Sequence, residues 1–126
     1  FRASGNLNFI CPYVNISKRV SFGPYCNIGG GFGLRIDENV IAGPYVSIHP
    51  EEHMHALGTV IRNQPVVGKG ICIKEDCWIG AKSTILDGSY LAAGNVLGAA
   101  TLIADTKTIA NGVYVGIPAR LVRLRE

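Results

Sequence analysis

Charged residues are scarce in this chain, and long hydrophobic runs are absent. There are 12 lysines and arginines against 9 acidic residues, so the net charge is only +3, too little to predict binding to nucleic acid. No run reaches the roughly 18 consecutive apolar residues of a membrane span, and no basic start followed by an apolar segment and a cleavage site marks export. We therefore expect a cytoplasmic protein that binds neither nucleic acid nor membranes. The first residue is Phe1 and not methionine, which leaves the natural N-terminus open.

Cysteine and histidine are also few, which bears on metal binding. The four cysteines, Cys11, Cys26, Cys72 and Cys77, lack the C-x-x-C spacing of a zinc or redox site, so we expect free thiols and no metal. Glycine, by contrast, is abundant. The 16 glycines and 6 prolines, with only 17% charged residues, indicate many tight turns and few long helices. We predict a single all-β domain over residues 1–126.

Apolar residues recur at every sixth position, and we call these residues anchors. The C-terminal series runs without a break through Ile73, Ile79, Ile85, Leu91, Leu97, Ile103, Ile109, Val115 and Leu121. The N-terminal series comprises Ile10, Ile16, Phe22 and Ile28 and, after a two-residue insertion in the glycine run 29–31, Ile36, Ala42 and Ile48. Such a series is hard to reach by chance, so the period predicts a repeat architecture.

A second column of small or β-branched residues follows four positions after most anchors. Its members are Val14, Val20, Cys26, Val40, Val46, Cys77, Ser83, Ser89, Thr101 and Val113. Free cysteine behaves as a small hydrophobe and fits such a position. Glycine directly follows several anchors, for example at Gly23, Gly29, Gly80, Gly98 and Gly116. We expect these glycines at corners where the backbone turns sharply.

Six residues suffice for one short strand and one corner, and three such units close a triangular coil. Coils stacked at a strand spacing of about 4.8 Å would pair every strand with its neighbours and bury the anchors inside a prism. The anchors predict a parallel β-helix of about five coils. Between Ile48 and Ile73 the period is lost, which predicts one long loop extruded between residues 49 and 71. Long loops inside compact domains are often functional.

All three histidines, His49, His53 and His55, lie in this loop. Taken alone, they are equally compatible with a polar surface loop. The segments around them point further, and they occur in this order: Asp37-Glu38-Asn39-Val40, Gly43-Pro44-Tyr45-Val46, His53, Arg62-Asn63-Gln64, Asp76-Cys77-Trp78-Ile79-Gly80-Ala81 and Gly116-Ile117-Pro118-Ala119-Arg120. Over nearly the whole chain this order resembles the galactoside and maltose O-acetyltransferase branch of the hexapeptide-repeat acyltransferases.

The resemblance implies a left-handed coil, against the usual right-handed crossover rule. It also implies a homotrimer with an active site at each subunit boundary, and direct transfer of an acetyl group from acetyl-CoA to a hydroxyl of a sugar or a related small molecule. The catalytic histidine of that branch lies nine residues after a proline, which selects His53 after Pro44 and not His49 as the general base. The oxyanion donor of the family corresponds to the backbone N–H of Ala81.

The resemblance also assigns the remaining site residues. Ala99 would contact the pantetheine arm of CoA, and Arg120 and Arg123 in the basic tail 116–126 would contact the nucleotide phosphates. A solvated tail is the alternative for both arginines. The nucleotide-binding lysine of the family has no match in register, so either the coil deforms at Lys107 or Lys107 replaces that contact. Asn27 and Trp78 correspond to positions near the acceptor, although the insertion after Ile28 blurs the match for Asn27.

Three other functions compete with sugar acetylation. A xenobiotic O-acetyltransferase acting on an antibiotic would use the same base and the same acetyl-CoA. A non-catalytic β-helix scaffold, or a decayed acyltransferase, would keep the prism without the chemistry. A γ-class carbonic anhydrase would bind zinc through histidines from different coils, but no histidine precedes His49 and all three share one loop.

Overall fold

The chain folds into a triangular prism with three parallel β-sheets as its faces. The computed structural model describes strands β1 (Arg2–Ala3) and β2 (Asn8–Phe9) and all residues from 14 to 126. The predicted anchor Ile10 and the thiol of Cys11 lie outside the described residues. The predicted left-handed parallel β-helix of about five coils is confirmed.

Each face of the prism collects one strand from each successive coil. The first face contains β1, β4 (Ser21–Phe22), β7 (Ile41–Ala42), β12 (Trp78–Ile79), β15 (Val96–Leu97), β17 (Gly112–Val115) and β18 (Arg120–Leu124). The second face contains β2, β5 (Asn27–Ile28), β8 (Ser47–His49), β13 (Thr84–Leu86) and β16 (Leu102–Ile103). The third face contains β3 (Val14–Ile16), β6 (Leu34–Ile36), β11 (Ile71–Ile73) and β14 (Tyr90–Leu91). Neighbouring strands of the faces are parallel, except that β18 returns antiparallel to β17.

The anchors lie in register inside the prism. On the second face, Ile28 is paired with Ile48, and Ile85 with both Ile48 and Ile103. The anchors from Phe22 to Ile103 are almost wholly buried. Removing such side chains from water is the main stabilising term of the fold. The polar members of the second column are hydrogen-bonded to carbonyl groups, for example Ser83 Oγ to Gly98 O at 3.0 Å and Ser89 Oγ to Leu86 O at 2.7 Å.

The glycines after the anchors have a different role from the predicted one. The left-handed backbone of the corners falls two residues later, for example at Tyr25, Asp76 and Lys82. Of the glycines that directly follow anchors, only Gly116 has a positive φ. The others lack a side chain because the next coil is too close: a Cβ at Gly23 would lie 2.6 Å from Pro44 N, and one at Gly80 would lie 2.6 Å from Leu97 O.

The six-residue period fails in the last coil, so three predicted anchors are wrong. Ile109, Val115 and Leu121 are 50%, 39% and 44% exposed, whereas Thr108 and Tyr114 are buried. The corner after Ile103 is one residue short, with its positive φ already at Asp105. A full-length corner would place the Lys107 ammonium in an inward position, where an unpaired charge is costly.

Shortening the corner turns Lys107 outward. It pairs with Tyr90 as a parallel bridge, and its Nζ lies 5.2 Å from the centre of the Tyr90 ring. Val113 is displaced in the same way: it pairs with Val96 on the outward row of the first face and does not join the second column. Tyr114 takes the inward place beside Leu97.

The predicted loop leaves the prism after β8 and returns at β11. It contains the antiparallel pair β9 (Glu52–His53) and β10 (Val66–Val67) and a 3₁₀ helix at Ile61–Asn63. Every residue from 52 to 63 is exposed. Gln64 holds the loop together, because its amide bonds to both backbone groups of Ala56 and to Thr59 O, each at 2.9 Å. No helix in the described ranges is long and apolar enough to cross a membrane.

Candidate functional site

Four stacked turns connect the first face to the second, and we call them the corner ladder: residues 23–26, 43–46, 80–83 and 98–101. Backbone hydrogen bonds join successive turns. Lys82 N donates to Pro44 O at 3.0 Å, and Ala100 N donates to Ala81 O at 2.8 Å. Ala81 and Ala99 therefore occupy the same position in adjacent coils. The structure brings these two predicted residues together.

The backbone nitrogen of the second residue in each turn of the corner ladder makes no hydrogen bond to the described residues. Pro24 and Pro44 occupy this position in the first two turns, where a missing N–H has no cost. In the next two turns, the N–H groups of Ala81 and Ala99 donate to no acceptor within residues 14–126. Each is a preorganised donor that remains available to an anionic oxygen.

Trp78 lies beside this corner on the outward side of the first face. It is 56% exposed and pairs with Ile41 on one side and Val96 on the other. The same outward row continues through Val113 to Arg123. An open groove of about 620 Å³ follows this row, with Arg125 and Glu126 at its end. Trp78 and Arg123 thus line one groove, apolar at one end and charged at the other.

The basic tail forms the edge strand β18, which fixes its arginines on the first face. Arg120 lies opposite Val115, and Arg123 lies opposite Val113. Arg125 is already neutralised, because its Nη1 lies 3.0 Å from Asp76 Oδ2. In the part of the chain that the structure describes, neither Arg120 nor Arg123 has a carboxylate partner. Their guanidinium groups are free to receive an anion.

Lys107 is not brought together with Arg120 and Arg123. It lies on the third face over the ring of Tyr90, whereas both arginines belong to the first face. Of the two alternatives that the sequence left open, deformation of the coil is confirmed. The contact of Lys107 with the nucleotide stays a prediction.

Asn27 lies on the outward row of the second face, in register with Ser47. Its Oδ1 atom is buried and has no hydrogen-bond partner among the described residues. An unpaired buried amide oxygen is unfavourable. Because this atom is closed off from solvent, a bound molecule could reach it only after neighbouring groups move.

The histidines lie at a different edge of the prism. His49 ends β8 and is half-buried beside Leu86. His53 is exposed on β9 and is paired with Val66. The Nδ1 atom of His55 lies 2.9 Å from the carbonyl oxygen of His53. No hydrogen bond or ring contact in the described ranges joins His53 to the corner ladder. Among the described residues, no three or more His, Cys, Asp or Glu side chains lie close enough together to hold a metal ion.

None of the described thiols is arranged as a nucleophile. Cys26, Cys72 and Cys77 are unpaired, as predicted. Burial raises the pKa of all three, that of Cys77 to about 11. A thiol with a raised pKa carries little thiolate at neutral pH and reacts slowly. An acyl-cysteine intermediate on these residues has no support.

One feature of the corner ladder, a pair of stacked rings, was not predicted from the sequence. Tyr25 and Tyr45 stack on each other, with ring centres 5.2 Å apart and planes 17° apart. Both are 53% exposed. The available signal was the tripeptide Gly-Pro-Tyr, which occurs at 23–25 and again at 43–45.

Known proteins share both sequence and fold with this chain. A 2,3,4,5-tetrahydropyridine-2,6-dicarboxylate N-succinyltransferase from Caulobacter vibrioides is 32% identical over 114 residues, which cover 81% of this chain and 40% of that protein. The chain thus spans well under half the length of this relative. No family model matches the chain.

Two solved structures show how closely the prism is shared. A maltose O-acetyltransferase from Clostridium difficile superposes with a TM-score of 0.89 at 20% identity, over 99% of this chain and 66% of that one. A hexapeptide-repeat acetyltransferase from Vibrio cholerae, also solved with acetyl-CoA, gives 0.82 at 19% identity over 98% of this chain and 72% of that one. The chain therefore has the left-handed β-helix fold of the hexapeptide-repeat acyltransferases.

Proposed function

We propose that this chain is an acyl-CoA-dependent acetyltransferase that moves an acetyl group from acetyl-CoA to a hydroxyl of a sugar or a related small molecule. The observation that carries the proposal is the free N–H group of Ala81, next to a groove that runs from Trp78 to the unpaired Arg123. A thioester substrate needs an oxyanion donor at its carbonyl and cations at its distant phosphates. The first face offers both.

His53 acts as the general base in this mechanism. Its imidazole takes the proton of the acceptor hydroxyl while the hydroxyl oxygen attacks the thioester carbon. The Ala81 N–H stabilises the tetrahedral oxyanion. The carbon–sulfur bond then breaks, and the leaving CoA sulfur receives the proton held by His53. Transfer is direct, which agrees with the raised pKa values of the thiols.

Acetyl-CoA binds along the first face. The Ala99 N–H contacts the pantetheine arm, and Arg120 and Arg123 contact the nucleotide phosphates through charge-assisted hydrogen bonds. Lys107 contributes only if a second subunit brings its third face to the cofactor. The Vibrio cholerae neighbour, which binds acetyl-CoA, supports this choice of co-substrate.

The acceptor binds between Trp78 and Asn27, which flank the corner ladder on the first and second faces. The buried, unpaired Oδ1 of Asn27 could accept a hydrogen bond from a hydroxyl group once the acceptor has opened access to it. The maltose O-acetyltransferase neighbour supports an oxygen acceptor, whereas the name of the Caulobacter relative indicates transfer to nitrogen. The sequence segments before and after His53, which resemble those of the sugar O-acetyltransferases, favour an oxygen acceptor.

The active site is completed in a homotrimer. His53 leaves the prism at the end of β8, away from the Ala81 corner, so we infer that the base reaches the thioester of a neighbouring subunit. The exposed apolar residues of the loop, such as Leu57 and Ile61, suit burial against that neighbour. Sedimentation should give three times the chain mass, and a stable monomer at micromolar concentration would contradict the assembly.

An acetyl-transfer assay tests the function directly. The protein is incubated with acetyl-CoA and a panel of sugars, sugar derivatives and hydroxyl-bearing antibiotics, and free thiol is followed over time. We expect acceptor-dependent thiol release with at least one panel member, and an ester in the product. Failure of the protein to bind immobilised CoA would point instead to a non-catalytic scaffold.

A further inference from the structure

The corner ladder changes character halfway along the prism. Its first two turns carry proline followed by tyrosine, at Pro24–Tyr25 and Pro44–Tyr45. Its next two turns carry alanine followed by Lys82 or Ala100. The first half therefore presents aromatic rings and lacks N–H donors, and the second half presents free N–H donors and lacks rings.

The two tyrosines stand where a bulky side chain is unfavourable. Tyr25 has a φ of 61° and Tyr45 has a φ of 60°. Bulky residues seldom adopt this left-handed conformation. The same left-handed conformation recurs at this corner position in other coils, at Arg19, Asn39, Asp76, Lys82, Gly94, Ala100 and Asn111, so it belongs to the fold, and the stacked rings are what distinguish Tyr25 and Tyr45.

The stack ends beside the proposed oxyanion donor. Tyr45 covers Tyr25, and the coil after Tyr45 carries Lys82, whose N–H bonds to Pro44 O at 3.0 Å. Lys82 is exposed, makes no ring contact with Tyr45 and pairs with no carboxylate in residues 14–126. The face of Tyr45 away from Tyr25 is therefore uncovered by any described ring or cation, one coil from Ala81.

We propose that the Tyr25–Tyr45 stack is an acceptor subsite that takes a flat aromatic ring as its third member. This inference rests on the acetyltransferase function proposed above. The rings of the pair repeat at about the spacing of successive coils, so a third ring at the same spacing lies in the coil of Ala81, where it displaces the exposed side chain of Lys82. Its hydroxyl-bearing substituent then reaches the thioester. The acceptor is thus an aryl-substituted molecule, such as an aryl glycoside, in preference to its alkyl counterpart.

Matched acceptors test the subsite in kinetics. The acceptors are the phenyl and the methyl glycoside of one sugar, and the measured quantity is the ratio of their kcat/KM values. We expect wild type to favour the phenyl glycoside by about two- to tenfold, the range of one aromatic pair. Tyr45→Asn should bring the ratio close to one, and Tyr45→Phe should keep it.

The choice of asparagine guards against a folding defect, because Asn39 and Asn111 already adopt this backbone conformation in the same fold. Phe32→Leu is the control, since Phe32 is a partly exposed aromatic residue that packs against Gly68, near the third face. It should leave the ratio unchanged. An unchanged ratio in Tyr45→Asn would overturn the subsite, and so would dissociation of that variant into monomers, because the stack would then be a subunit contact.

Calorimetry separates failure of the subsite from failure of the proposed function. Each glycoside is titrated into wild type and Tyr45→Asn without acetyl-CoA. Tighter binding of the phenyl glycoside to wild type alone supports the subsite even if no acetyl group is transferred. Equal binding of both glycosides to both proteins overturns it, whether or not transfer occurs.

Discussion

The prism and the extruded loop are ordered by different means. In the prism, anchors such as Ile28, Ile48 and Ile85 are fully buried and repeat through successive coils. In the loop, residues 52–63 are all exposed, and a short hairpin and the amide of Gln64 provide the order. The comparison indicates that stability resides in the prism, whereas the loop carries His53, the proposed general base. Substitutions in the two regions should therefore have separable effects.

The largest expected effect is on catalysis, from the loop. His53→Ala should lower kcat by about 10²–10⁴-fold, because it removes the proposed general base. Acetyl-CoA affinity and thermal stability should change little, since the side chain is exposed. His49→Ala and His55→Ala are matched controls with far smaller effects on kcat. A reversed order between His49 and His53 would show that the base was placed wrongly.

The next effect is on stability, from the prism. Ile85→Ala should lower the free energy of unfolding by about 2–5 kcal/mol, because the cavity left in a close-packed core does not refill. Leu57→Ala in the loop should change it by less than about 0.5 kcal/mol, since Leu57 is fully exposed. Urea unfolding of dilute protein measures both. A large loss for Leu57→Ala would mean that the loop is part of the stabilising core of the assembly.

A third effect concerns the edge of the prism. Arg120→Ala should weaken CoA binding by about one to two orders of magnitude, through the loss of charge-assisted hydrogen bonds of roughly 1.5–3 kcal/mol. Arg125→Ala removes the same charge from the same tail but should change affinity less, because Arg125 is paired with Asp76. Added salt should weaken wild-type binding more than that of Arg120→Ala. Equal CoA affinities of wild type and Arg120→Ala, in calorimetric titrations at two ionic strengths, would show that Arg120 belongs to a solvated tail and does not contact CoA.

The smallest effect tests what orders the loop. Gln64→Ala removes three hydrogen bonds, each worth about 0.5–1.5 kcal/mol locally. We expect faster proteolysis within residues 52–63 and a several-fold lower kcat, with an unchanged urea midpoint. Gln64→Glu keeps an acceptor oxygen for the Ala56 N–H but loses the amide donor to Ala56 O and Thr59 O, and should be intermediate. An unchanged cleavage rate in Gln64→Ala would show that the hairpin β9–β10 suffices.

The same contrast explains what the sequence could predict. A six-residue period repeats one physical requirement many times, so the three faces and the loop boundaries followed from the anchors alone. The inward residues of the last coil were predicted wrongly, because five residues replace six there and Ile109 and Val115 match the period by chance. The reason for the glycines also escaped, since the closeness of Gly80 to Leu97 depends on the stacking of coils.

The site was predictable only in part. Ala81 and Ala99 were placed by resemblance, and their shared corner follows from their spacing of 18 residues, one full coil. Lys107 could not be assigned to a face without knowing that the corner before it is short. The Tyr25–Tyr45 stack joins residues 20 positions apart across the glycine insertion, so the six-residue period alone could not place the two rings together.

A crystal structure of the protein with CoA and an acceptor tests the central claim most directly. It should contain a trimer in which the CoA sulfur lies beside the Ala81 N–H of one subunit and His53 of another subunit. The phosphates should lie at Arg120 and Arg123. CoA bound on the third face over Tyr90, or a sulfur far from every His53, would contradict the proposed mechanism.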